Sequence, residues 1–123
     1  MNCPKCKSSM NRVTEDGIEV DRCTACQGIW FDILEDEKLR ARAREVDTGS
    51  ARTGAKYNPS DRINCPICPN TQLLRMVDPH QSHVWFESCP SCFGRFFDAG
   101  EFRDLGQRTL GDVLKGLFVR ERK

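Results

Sequence analysis

No apolar run in this 123-residue chain approaches the roughly 20 residues that a membrane-spanning helix needs. The start lacks the charged segment, apolar run and small-residue cleavage site of a secretion signal, and the third residue is already Cys3. The expected home is therefore a reducing cytoplasm. Nor does any βαβ pattern surround a Cys-x-x-Cys pair, which sets aside a thioredoxin-like redox motif. No nucleophile, base and orienting group come together in one motif, so an enzyme of unrecognised type ranks low among the readings. Histidine is scarce, with two in all, and cysteine is not, with eight. In a secreted protein eight cysteines would allow four disulfides. In a reducing compartment they persist as thiols or metal ligands.

Their spacing favours a metal. Cys3-Pro-Lys-Cys6 is followed after sixteen residues by Cys23-Thr-Ala-Cys26, and Cys65-Pro-Ile-Cys68 after twenty by Cys89-Pro-Ser-Cys92. A C-x2-C turn points two sulfurs at one ion, and two such turns complete the tetrahedron that zinc favours. Both sites would be closed and structural, whereas a catalytic zinc keeps an open position and recruits His or carboxylate. His80 and His83 form a spare pair, read as exposed turn residues because cysteine already supplies every ligand.

Each spacer reads as a hairpin. Met10 to Glu15 and Ile18 to Arg22 flank Asp16-Gly17, a strong short turn signal. Leu73 to Val77 and His83 to Glu87 flank a longer turn, which accounts for most of the extra length. The ten residues CTACQGIWFD, Cys23 to Asp32, return as CPSCFGRFFD, Cys89 to Asp98. In this phrase Gly28 and Gly94 are expected to adopt positive φ around the metal. Asp32-Ile-Leu-Glu35 and Asp98-Ala-Gly-Glu101 approximate capping boxes and predict a helix after each, with Phe97 and Phe102 as a hydrophobic staple in the second.

C-P-x-C, a hairpin, then C-x2-C-x-G-x-aromatic-aromatic-Asp-x-x-Glu resembles the transcription-factor-IIB-type zinc-finger family of small, mostly bacterial proteins, here in two tandem copies. The resemblance spans about residues 1–39 and 63–105. It implies that Cys3, Cys6, Cys23 and Cys26 hold one zinc and that Cys65, Cys68, Cys89 and Cys92 hold another. The second copy has Arg95-Phe96 where the first has Ile29-Trp30. The fold class expected is a small metal-stabilised α+β chain: two zinc ribbons, each followed by a capped helix, plus a C-terminal amphipathic helix.

The domains follow. Residues 1–44 form the first ribbon and its helix; Leu39, Ala43 and, just past that bound, Val46 share one helical face. Residues 45–62, rich in Gly, Ser, Thr and Asn, read as a flexible linker. Residues 63–106 form the second ribbon and helix. In residues 107–123 Leu110, Val113, Leu114, Leu117 and Phe118 make a helical stripe ahead of a basic tail. That stripe covers the second ribbon or joins two chains as a homodimer.

The formal net charge is +1. Two four-thiolate zinc sites would take it to about −3. Acidic residues concentrate in the ribbons and basic ones, including Arg40 and Arg44, in the first helix, linker and tail. Arginines that alternate by two spread around a helix, so the signal for a phosphate-binding patch is weak. Trp30-Phe31, Trp85-Phe86 and Phe96-Phe97 send neighbours to opposite sides of a strand, and a ribbon with one small core turns one of each pair outward. Trp30, Trp85, Phe96, Leu117, Phe118, Arg40 and Arg44 are thus the candidate surface residues. Outward rings would stack on bases, fill a protein groove, or pack the ribbons together, the last being favoured in a duplicated chain. The sequence supports a non-enzymatic zinc-binding module for a protein partner, with nucleic acid the lesser alternative. The competing reading is a thiol-based redox or zinc-responsive switch.

Overall fold

The computed structural model describes residues 1–59, 63–78 and 84–106. Alternation around Asp16-Gly17 produces the expected hairpin: strands β1 (Met10–Glu15) and β2 (Ile18–Cys23) pair antiparallel with Val13 opposite Val20. Asp16 (φ 54) and Gly17 (φ 77) are both left-handed, the signature of a turn whose twist matches its strands. A short strand β3 (Ile29–Phe31) then pairs back onto β2. The second half repeats this with β4 (Leu74–Val77), β5 (Trp85–Ser88) and β6 (Arg95–Phe97). His80 and His83, in the intervening turn, lie outside the described residues.

The two ribbons are halves of one sheet. β3 and β6 pair antiparallel, with Ile29 opposite Phe97, Trp30 opposite Phe96 and Phe31 opposite Arg95, giving the order β1-β2-β3-β6-β5-β4. For two aromatic doublets this seam is the favoured arrangement, ribbon packed on ribbon, and it takes Trp30 and Phe96 off the surface where they stood as candidates. Trp30, Phe31, Phe96 and Phe97 are all 0 % exposed, because the joined sheet has a core on each face. On one face Phe31, Phe86 and Phe97 meet the helices through Leu39, Ala43, Val46, Phe102 and Leu105. On the other, Trp30 and Phe96 pack with Ile63, Leu73 and the cysteines. Only Trp85–Phe86 follows the expected pattern, with Trp85 exposed and Phe86 buried.

The seam also explains the two glycines of the repeated phrase. Neither Gly28 nor Gly94 has positive φ; the preceding Gln27 and Phe93 do, each at φ 63. A Cβ on Gly28 would run into the Phe96 ring, and one on Gly94 into the Trp30 ring. Each ribbon's aromatic side chain lies on the other ribbon's glycine, so close approach sets the requirement.

Beyond β3, helix α1 (Glu35–Leu39), a 3-10 turn (Arg40–Arg42) and helix α2 (Ala43–Val46) divide what the sequence suggests is one helix. The expected face of Leu39, Ala43 and Val46 is buried. Half of the capping box forms: Glu35 Oε1 accepts the Asp32 N–H at 2.9 Å, while Asp32 Oδ1 accepts from Trp30 Nε1 at 3.2 Å. Residues 51–57 form helix α3 (Ala51–Tyr57), with Ser50 Oγ accepting the Thr53 N–H at 3.4 Å. The segment read from composition as a flexible linker, residues 45–62, thus contains a capped helix of its own. Helix α4, residues 101–106, follows β6, and Phe97 and Phe102 meet with ring centroids 5.3 Å apart, as a staple requires. The C-terminal helix expected over residues 107–123, with Leu117 and Phe118, lies outside the described residues.

Candidate metal centres

Four turns, two per ribbon, carry the cysteines. The residue after the second cysteine is left-handed in three of them: Lys7 (φ 68), Gln27 and Phe93 (both φ 63). In the remaining turn that position is Pro69, whose ring forbids positive φ, and the conformation moves one residue on to Asn70 (φ 53). Asparagine tolerates it better than most side chains do. The turns close on backbone bonds such as Cys23 N–H to the Gly28 carbonyl at 2.8 Å and Cys89 N–H to the Gly94 carbonyl at 2.9 Å.

The turns of each ribbon face one another. Cys3, Cys6, Cys23 and Cys26 form one group and Cys65, Cys68, Cys89 and Cys92 another, with the sulfurs of each group all within 4.8 Å. Measured Sγ–Sγ separations are 3.6 Å for Cys3–Cys26, 3.3 Å for Cys6–Cys23 and 3.8 Å for Cys65–Cys92. A tetrahedron of thiolates about 2.3 Å from zinc has edges of about 3.8 Å, whereas a disulfide would need about 2.05 Å. The donor set and spacing therefore fit zinc.

Backbone N–H groups aim at the same sulfurs. Cys23 Sγ accepts from Ala25 and Cys26, Cys65 Sγ from Ile67 and Cys68, and Cys89 Sγ from Ser91 and Cys92, all at 3.3–3.4 Å. Such bonds favour thiolate over thiol. Crowded sulfurs cannot all ionise alone, and the thiols split accordingly. Cys3, hydrogen-bonded by Cys26, falls to about 5, while the same bond pushes Cys26 up. Burial works to raise Cys89, but the N–H groups of Cys92 and Ser91 outweigh it and leave the thiol at about 7. Burial lifts Cys92 to about 12. A dication removes this conflict, since it holds all four sulfurs as thiolates.

Of the candidate surface residues, Trp85 and Arg44 are exposed, and Trp30 and Phe96 are buried in the seam, which removes them from any surface. Arg40 lies 4.0 Å from the buried carboxylate of Asp78. Sequence reasoning missed the charged network between the halves. Lys5, inside the first knuckle, has a side chain that is 0 % exposed; it reaches Glu87 at 2.7 Å, Asp98 at 2.6 Å and the Tyr57 carbonyl at 3.0 Å. Burial nevertheless raises Asp98 to about 6, with Lys5 opposing. Arg95 pairs with buried Asp36 at 2.8 Å, again across the seam. Asp47 is missed too: its carboxylate accepts the N–H groups of Gly100 at 3.0 Å and Arg103 at 2.9 Å and so caps α4 from the connector. Nothing in the local pattern of Lys5 or Asp47 signals a partner tens of residues away.

Among the described residues no helix is long and apolar enough to cross a membrane. Comparison with known proteins adds one positive result. Residues 2–42 and 64–108 match the family model described as transcription factor zinc-finger, a TFIIB-type zinc ribbon. No curated protein and no solved structure matches the chain. With more than half of its length matched, in two segments that each contain one four-cysteine group, the chain belongs to the transcription factor zinc-finger family as two tandem zinc ribbons that bind two zinc ions.

Proposed function

We propose that this zinc-binding module is non-enzymatic and that its two metal-held ribbons present a surface to a protein partner. The observation that carries this reading is the second hairpin. Leu74, Met76, Val77 and Trp85 are 54, 45, 43 and 43 % exposed, and β4 is an edge strand of the sheet. An exposed apolar edge is a template for a partner strand unless charge blocks it. The opposite edge has such a block: on β1 Arg12 pairs with Glu19 at 3.1 Å, and Glu15 is held by Arg42 at 2.8 Å. Four sulfurs per metal leave no open coordination position for a substrate, which supports a structural role.

A protein partner is favoured over nucleic acid by the placement of the arginines. Arg12, Arg40, Arg42 and Arg95 each face a carboxylate of this chain, and free phosphate-binding charge is what a nucleic-acid interface requires. The test is quantitative affinity capture from lysate of the source cells with zinc kept bound. The double variant Leu74→Ser/Met76→Ser should lose at least ~10-fold of one retained protein while keeping both zinc ions, and Arg12→Ala on the opposite edge should retain it. Equal retention by all three chains, or recovery of nucleic acid in place of protein, would contradict the reading.

A further inference from the structure

The joined sheet has a pseudo-twofold axis at its seam. A shift of 66 residues carries Cys23 onto Cys89, and the same shift carries Trp30 onto Phe96, its own partner across the β3–β6 pair. Phe96 on Gly28 and Trp30 on Gly94 repeat the relation, and the family match ends at equivalent residues, 42 and 108. On one side of this axis the connector lies across Gln27 of the first ribbon and Ala99–Gly100 of the second. A Cβ on Gly49 would come within 2.7 Å of the Gln27 side chain and 2.8 Å of that of Ala99, Gly54 abuts the Ala99 carbonyl, and Gly100 abuts Ala51. Gln27 Oε1 also accepts the Ser50 N–H at 3.2 Å.

The axis carries Gln27 onto Phe93 and Ala99 onto Ile33, two large apolar residues that are 57 and 53 % exposed. The geometry points to this pair as the seat of the chain's own residues 115–120, the counterpart of residues 49–54.

Three observations carry it. The first is reach: α4 ends at Gly106, the counterpart of Arg40, and residues 107–120 supply the same length of chain beyond it as residues 41–54. The second is a change of chemistry on both sides of the contact at once. Polar Gln27 and small Ala99 become Phe93 and Ile33, while Ala51, Arg52 and Thr53 above them become Leu117, Phe118 and Val119. Small side chains and one hydrogen bond make the cover in one half; in the other, apolar surface meets apolar surface, which water favours burying. The third is charge: just after Ile33, α1 opens with Glu35, Asp36 and Glu37, and the segment carries Lys115 and Arg120. Leu34 limits the likeness. It stands where Gly100 admits Ala51, so the segment sits farther out there and the contact rests on Ile33 and Phe93. The outcome is a second strap, from the knuckle of the second ribbon to the start of α1, which uses none of the exposed residues of the β4 hairpin.

The test is NMR of the zinc-loaded full chain with labelled Ile, Leu and Val methyl groups. Expected are through-space contacts from the Ile33 methyls to those of Leu117 or Val119, and amides at 117–119 that exchange at least ~10-fold more slowly than in an unstructured chain. Ile33→Ser/Phe93→Gln should remove that protection, and Leu117→Ser/Phe118→Ser should shift the Ile33 methyls, both with two zinc ions retained. If the first variant loses zinc, the second, in a segment without a metal ligand, still decides. Unprotected amides with no contact to Ile33, or contacts that run to Leu74 instead, would overturn the inference. So would contacts between labelled and unlabelled chains in a mixed sample, which would give the patch to a second copy. None of these outcomes bears on capture through Leu74 and Met76, which is read separately.

Discussion

Leu34 occupies a position where its repeat has a glycine. Leu34 has φ 68 and Gly100 has φ 89, each two residues after the aspartate that closes the repeated phrase. For a side chain with a Cβ, the left-handed region costs about 1–2 kcal/mol. The leucine is half exposed, so it recovers little by burial. Leu34→Gly should stabilise the zinc-loaded protein by about 0.5–1 kcal/mol after the entropic cost of glycine, read from the denaturant midpoint. A loss of stability would show that Leu34 makes contacts that outweigh its strain. The glycines that sequence alone points to, Gly28 and Gly94, have a different role. They leave room for Phe96 and Trp30, a demand set by the opposite ribbon and so not readable from either phrase by itself.

At the scale of the element, the hairpins and metal knuckles follow from local signals. Asp16-Gly17 sets the first turn, the C-x2-C spacing sets the sulfurs, and Asp32 and Asp98 mark where the chain turns into a helix. What local signals do not supply is the connector. Gly, Ser and Thr suggest flexibility, yet Ser50 caps α3 and Asp47 caps α4, whose own aspartate, Asp98, is taken by Lys5. The Asp47 carboxylate satisfies two N–H groups while itself 0 % exposed, so burial raises its pKa against those bonds. Asp47→Ala should cost about 1–2 kcal/mol, the usual loss for a helix cap, and should speed amide hydrogen exchange at Gly100 and Arg103 before exchange rises elsewhere. Unchanged exchange at those two amides would mean that the cap is not what holds the start of α4.

At the scale of the whole molecule, the two family copies are joined into one six-stranded sheet with two cores. Composition permits two independent ribbons, and the spacing of either cysteine set is silent about the other. The joining depends on contacts between halves: Trp30 on Gly94, Phe96 on Gly28, Lys5 on Glu87 and Asp98, Arg95 on Asp36. These are long-range choices that a single sequence does not announce, although the aromatic pairs hinted at them. One face of the seam is built directly against the knuckles, where Trp30 and Phe96 pack among the cysteines. Metal and sheet are thus one structural unit, and the account depends most on the metal. The most direct measurement is elemental analysis combined with native mass spectrometry of the reduced chain, with zinc-edge X-ray absorption for the ligands. The account predicts two zinc ions per chain, each with four sulfur neighbours at about 2.3 Å; one ion per chain, or nitrogen and oxygen in the ligand shell, would contradict it.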